Sequence, residues 1–235
     1  MSKNMSGFSH LSSILMQETS LHAALKNRYA IQGSAQEAFV DGYLIDVVQG
    51  ELLIEIQTRN FGAIRNKLNA LVESHPVRLV HPIAQEKWIV HLPVDGDIPL
   101  SRRRSPRRGR LEHLFIELIR IPDLIKHRNF SLEILLIHEE EIRRADGKGS
   151  WRRKGVSIAN RCLLKIVDQH LFTTPADFRV FLPTDLPTPF TNRQLAEKLS
   201  IKPNLAARMT YCLRALGILE VAGKQNRSYL YVLQE

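Results

Sequence analysis

Cysteine is nearly absent. Cys162 and Cys212 are the two in 235 residues, far apart and with no CxxC or Cys/His cluster, which excludes a disulfide framework and a zinc finger. Both are flanked by apolar residues and are expected to be buried fillers. Long apolar runs are missing as well: no stretch approaches the ~18 residues a spanning helix requires, and the opening MSKNMSGFSHLSSILMQETS has no continuous apolar centre. A cytoplasmic protein without a membrane partner is therefore expected. Internal repeats and low-complexity segments are also lacking. Acidic residues are the minority, 24 against 33 Lys and Arg for a formal net charge of +9, and that balance points to a polyanionic partner such as nucleic acid.

What is present reads as an α/β chain. Leu11, Ile14, Leu15, Leu21, Ala24, Leu25 and Tyr29 recur at three- and four-residue spacings, predicting a first helix that Gly33 and Ser34 end. Three short strands follow, over 37–40, 43–48 and 52–58, joined by Asp41-Gly42 and Gln49-Gly50-Glu51, which suits an antiparallel meander. Phe61, Ile64, Leu68, Leu71 and Val72 then mark one helix face, stopped by His75-Pro76, and strands are expected over 77–83 and 88–92. Strand, helix, strand is a crossover unit that joins parallel strands, so the fold class is a mixed central sheet flanked by helices.

The chain divides into a core over 1–92, an Arg-rich linker or loop over 93–110, an extension over 111–187 whose layout the pattern leaves open, and a C-terminal module over 188–235. Within the extension, 111–125 has helical periodicity, 132–137 resembles a buried strand, and EEEIRRADGKGSWRRKG is expected to be a loop. In the C-terminal module Thr191 is placed to cap one helix, Lys202-Pro203-Asn204 to turn the chain, and 205–216 to form a second helix before a hairpin. That order is the layout of a winged helix-turn-helix.

The functional signal lies in YLIDVVQGELLIEIQ. Glu55 and Gln57 project from one face of a strand, and the turn brings Asp46 alongside, so two carboxylates converge in an otherwise apolar segment. Hard oxygen ligands so placed suit Mg²⁺ or Mn²⁺, and the matching chemistry is hydrolysis of a phosphodiester. These residues, Asp46, a turn, Glu55-Ile56-Gln57 and a crossover helix, resemble the PD-(D/E)XK nuclease superfamily, of restriction-endonuclease-like fold, over roughly residues 11–92. The resemblance implies metal ligands at Asp46 and Glu55, Gln57 where the family usually has a water-orienting lysine, and Glu18 as a first-helix glutamate, with Glu37 the other candidate. Gln57 supplies no positive charge, so Lys67 or Arg59 is the candidate replacement.

DNA contacts are expected from the arginine-rich stretch, Arg102, Arg103, Arg104, Arg107, Arg108 and Arg110, and from Asn204, Arg208 and Thr210 on the second C-terminal helix, with Lys224 and Arg227 on its wing. Tyr211, Leu213 and Leu216 are expected to pack inside, and the histidines, His22 among them, show no ligand spacing. The reading is a metal-dependent DNA endonuclease. Its alternatives are a non-catalytic DNA-binding regulator or scaffold retaining the nuclease fold, and a homodimer or subunit of a larger defence or repair complex.

Overall fold

The computed structural model describes residues 19–234. Helix α1 (Ser20–Tyr29) opens with the Thr19 hydroxyl accepting from His22 N. Two glycine turns then fold β1 (Ala35–Val40), β2 (Tyr43–Gln49) and β3 (Leu52–Ile56) into the expected antiparallel meander. Asp41 and Gly42 both have positive φ, as does Gly50, which is why these turn positions carry Asp-Gly and Gly. A short 3₁₀ turn over Phe61–Ile64 leads into α2 (Arg65–Val72), and β4 (Val77–Leu92) returns parallel to β3.

β4 is one strand of 16 residues, not the two pieces expected, with a register irregularity between Ala84 and Glu86 absorbing the polar Gln85-Glu86-Lys87. β5 (Ser101–Arg104) takes up the edge of β4 beyond the end of β3. The segment expected as a long helix over 111–125 is broken into 3₁₀ turns around one short helix, α3 (Phe115–Leu118). It carries the chain to β6 (Phe130–Arg144), parallel to β4, and a loop leads to antiparallel β7 (Ser157–Phe172). β6 runs straight through EEEIRR, which was expected to be a loop. The seven strands form one sheet in the order β1-β2-β3-β4-β6-β7, with β5 beside β4.

Each face of the sheet has its own apolar cluster. On one, Leu21 and Leu25 of α1 cover Val47, Ile54, Ile56, Val80, Leu135 and Ile137. Burying such a side chain stabilises by about 1.5–3 kcal/mol. The other cluster is larger and joins α2 and α3 to the C-terminal module through residues such as Leu68, Phe115, Met209 and Leu213. That module is α4 (Asn192–Leu199), capped by Thr191 as expected, then α5 (Pro203–Ala215) and a hairpin of β8 (Leu219–Gln225) with β9 (Ser228–Leu233). Among the described residues no helix is long and apolar enough to cross a membrane. Leu11, Ile14, Leu15 and Glu18 lie outside the described residues.

Candidate functional site

The β2–β3 ladder stops at the Val47–Ile54 pair, and Asp46 and Glu55 stand one place beyond it. There side chains take over the backbone's hydrogen bonds. Ile56 N donates to Asp46 Oδ2 at 2.8 Å, and Asp46 N lies 3.4 Å from Glu55 Oε1. The strand is distorted at this point: Ile45 joins the larger core cluster and Val47 the one beneath α1, although an undistorted strand would aim both at one face. Opposite Asp46, Glu37 has a left-handed φ of 52° between the Gln36–Val47 and Ala38–Ile45 pairs. The two expected carboxylates are thus brought together where β3 ends and the sheet steps from β3 to β5 along β4.

Lys67 reaches them. From α2 its Nζ lies 2.5 Å from Glu55 Oε1 and 2.5 Å from Leu44 O, so Lys67 rather than exposed Arg59 is the cation at the site. Gln57 turns to the following loop, its amide donating to Arg59 O at 2.6 Å and Asn60 O at 3.3 Å. Its backbone carbonyl accepts from His81 Nδ1 at 2.7 Å, while the His81 ring packs edge-on against Phe61. Burial keeps His81 below the usual histidine range, so it remains neutral and holds the end of β3. Glu37 pairs with Lys26, 2.5 Å away.

Sequence reasoning missed His22. Its Nε2 lies 3.0 Å from Ile56 O and 3.3 Å from Asp46 Oδ2. A search for His–His spacing could not find it, because its partner is on a strand; the available signal was its place beside Leu21 on the buried face of α1. Among the described residues no three His, Cys, Asp or Glu side chains gather as a metal cage. A Mg²⁺ ion does not require one, since it retains several waters and takes one or two carboxylates.

The two carboxylates are held in different states. Burial alone would raise Asp46, but the hydrogen bond and charge of His22 and the Ile56 amide outweigh it and keep Asp46 below its usual range. Burial pushes Glu55 up to about 7; Lys67 opposes the shift and the Asp46 charge adds to it. Between its ordinary 4.5 and about 7 the folded chain retains a proton on Glu55 that the unfolded chain releases. This contribution to stability is therefore complete below 4.5 and is lost as pH rises through about 7. Urea unfolding of the metal-free protein across that window should show wild type losing roughly 3 kcal/mol relative to Glu55→Gln. A constant difference between the two proteins would refute the burial argument.

The expected nucleic-acid contacts divide into three places. Arg103, Arg107, Arg108 and Arg110 line a cleft of about 1340 Å³ that also takes in Asn204 and Arg208. Within it Arg110 is committed to structure, bonding Leu199 O at 2.8 Å and pairing with Glu112. Arg102 and Arg104 belong to β5, stack on Trp88 and pair with Glu140 and Glu86. Lys224 and Arg227 are exposed at the β8–β9 turn. On α5 two expectations are reversed. Thr210 is buried and donates to Asn192 Oδ1 at 2.7 Å, whereas Tyr211 is half exposed, so the outward face is Asn204, Ala207, Tyr211 and Arg214. Cys212 is the buried filler expected, its thiol pushed up to about 12 by burial, while Cys162 is only half-buried.

Two backbone bonds dock the arginine loop on β4, Ser105 N to Lys87 O at 2.8 Å and Gly109 N to Ala84 O at 2.9 Å. A Cβ at Gly109 would fall 2.3 Å from Ala84 O. Gly109→Ala should therefore lift the loop and cost about 1–3 kcal/mol, as overpacking does. Thermal melting at wild-type temperature would contradict this.

Comparison with known proteins matches residues 19–173, α1 to the end of β7, to the family model described as Domain of unknown function (DUF8091). A protein of Treponema pallidum (strain Nichols), described as uncharacterized, is 32% identical over 219 residues, covering 92% of this chain and 85% of its own. No solved structure matches.

Proposed function

This chain belongs to the DUF8091 family, and from that starting point we propose that it is a metal-dependent DNA endonuclease of restriction-endonuclease-like fold, with α4, α5 and the hairpin serving as a winged helix. The observation that carries the reading is the Asp46–Glu55 pair with Lys67 on it, set where the β2–β3 ladder opens. The element order α1-β1-β2-β3-α2-β4, with β3 and β4 parallel, supports the fold assignment.

The residues fit a divalent cation. Two carboxylates lie close enough for the charge of Asp46 to act on Glu55, and Glu55, pushed up by burial, is a carboxyl that a bound cation would return to its charged form. Asp46 and Glu55 would hold Mg²⁺ or Mn²⁺, which when bound polarises a phosphodiester and acidifies a water. His22 fixes the rotamer of Asp46 and the end of β3 through Ile56 O. Lys67 supplies the positive charge that Gln57 lacks: once Glu55 has another cation, its ammonium is free to donate to the attacking water or to a phosphate oxygen. Electrostatic help of that kind acts where charge develops in the transition state.

A second reading has its own observation. Lys67 already neutralises Glu55, and the Gln57 amide is spent on the Arg59 and Asn60 carbonyls. Those bonds suit a non-catalytic DNA-binding scaffold in which the constellation is an internal ion pair. Incubating the protein with Mg²⁺ or Mn²⁺ and single-stranded, duplex or branched DNA separates the two. Cleavage that Asp46→Ala and Glu55→Ala abolish supports the enzyme; intact DNA in every condition supports the scaffold.

A further inference from the structure

Seven cations in the cleft have no carboxylate partner among the described residues. Arg103, Arg107 and Arg108 come from one wall and Arg152 and Arg153 from the opposite loop, while Lys202 and Arg208 lie at the α5 side. Their hydrogen bonds go to backbone carbonyls where they form any: Arg108 to Ser105 O, Arg153 to Val156 O, Arg208 to Ile116 O. The floor is different. There Lys87, Arg143 and Arg161 surround Glu141, the one acidic side chain among the described residues of the lining. Unneutralised charge packed this closely repels itself, and the arginine wall is nevertheless pinned to β4 by two backbone bonds. Such an arrangement is suited to a ligand that brings several negative charges in a row.

The opposite loop adds an aromatic ring. Trp151 stands 83% exposed, next in the chain to Arg152 and Arg153 of the cleft lining, and the Arg152 guanidinium stacks on its indole, 5.4 Å from the ring centroid. An indole so exposed buries little of itself against the protein beyond its contact with Arg152. Beside a basic groove, it is the surface on which an unpaired base stacks, because every base offers a flat π-face and a duplex keeps its bases covered. A cleft of about 1340 Å³ has room for a few nucleotides of one strand.

We infer that this cleft is a track for single-stranded nucleic acid, its phosphates held by the unpaired arginines and a base stacked on Trp151. The inference rests on the proposed function only in taking nucleic acid as the ligand. It requires neither metal nor cleavage, so its test is run on the full chain in EDTA.

Fluorescence anisotropy is measured with a labelled oligothymidine of about twenty nucleotides, longer than the cleft needs, and with a blunt duplex of equal length. The strand is expected to bind at least tenfold tighter. Trp151→Ala should weaken the strand about tenfold and leave the duplex unchanged, with Trp151→Phe restoring most of the loss. The doubly substituted Arg152→Ala/Arg153→Ala protein should bind the strand more weakly and with a shallower salt dependence. Equal or tighter duplex binding, an unchanged strand affinity in Trp151→Ala, no recovery in Trp151→Phe, or displacement of the strand by inorganic polyphosphate at equal phosphate concentration would each overturn it. Loss of cleavage in Glu55→Gln with strand binding intact would separate failure of the nuclease site from failure of the track.

Discussion

Glu55→Gln is expected to lower the proposed Mg²⁺-dependent DNA cleavage by about a thousandfold or more, because on that proposal the several kcal/mol a metal contributes to phosphoryl chemistry depend on this carboxylate. The substitution keeps the shape of a buried side chain whose ion-pair partner is the Lys67 ammonium, so the fold should survive it. Asp46→Asn should behave similarly. It also loses the carboxylate that His22 approaches and that accepts from Ile56 N, so some stability is lost with the activity. Lys67→Met separates the roles further: if the ammonium acts on the developing charge, the maximal rate falls steeply while the substrate concentration for half-maximal rate changes little. Single-turnover kinetics with end-labelled DNA reads all three, and wild-type rates in Glu55→Gln would remove Glu55 from the chemistry.

The second large effect concerns the fold. Lys87→Met is expected to destabilise the protein by about 3 kcal/mol, the lower end of the range for breaking a buried ion pair. Lys87 Nζ lies 2.8 Å from both Glu139 and Glu141, whose side chains are each 4% exposed. Burial would raise the Glu141 carboxyl, but Lys87 and Arg143 outweigh it and hold it below the usual range, and without Lys87 it would still keep Arg143 and Arg161. Glu139 would be left inside without its ion-pair partner. Adding Glu139→Gln to Lys87→Met should recover part of the loss in urea unfolding, and a single-variant effect below about 1 kcal/mol would contradict the argument.

These same residues explain what the sequence could not convey. EEEIRR reads as a solvated loop because each charge is judged alone, whereas β6 buries its glutamates against cations from β4 and β7 that lie far away in the chain. The Gln85-Glu86-Lys87 interruption in β4 misled in the same way, since an irregularity in register accommodates it without ending the strand. The periodicity over 111–125 was real in its buried residues, but Pro122 and repeated 3₁₀ turns break the expected helix. Local signals fared better. Asp41-Gly42 and Gly50 located the hairpins, Phe61, Leu68, Leu71 and Val72 are the buried face of the crossover, and Thr191 caps α4.

At the candidate site the pairing of Asp46 with Glu55 was legible, because the turn between two short strands determines which residues lie side by side. Lys67 was one of two cations considered, and the pitch of α2 decides for it over Arg59. His22 was not legible, since nothing within α1 indicates that a strand residue 24 positions later will lie within 3.3 Å of its ring. The arginine stretch was visible as a charge cluster; its division into Arg102 and Arg104 stacked on Trp88 and Arg103 with the loop arginines facing the cleft depends on β5 pairing with β4.

The central claim is that Asp46 and Glu55 together hold a divalent cation. Titrating the full chain with Mn²⁺ and following free ion by electron paramagnetic resonance tests it without reference to activity. Wild type should show a saturable site that Asp46→Asn and Glu55→Gln each weaken severely. Wild-type Mn²⁺ binding in both variants, or no binding in any of the three proteins, would contradict it.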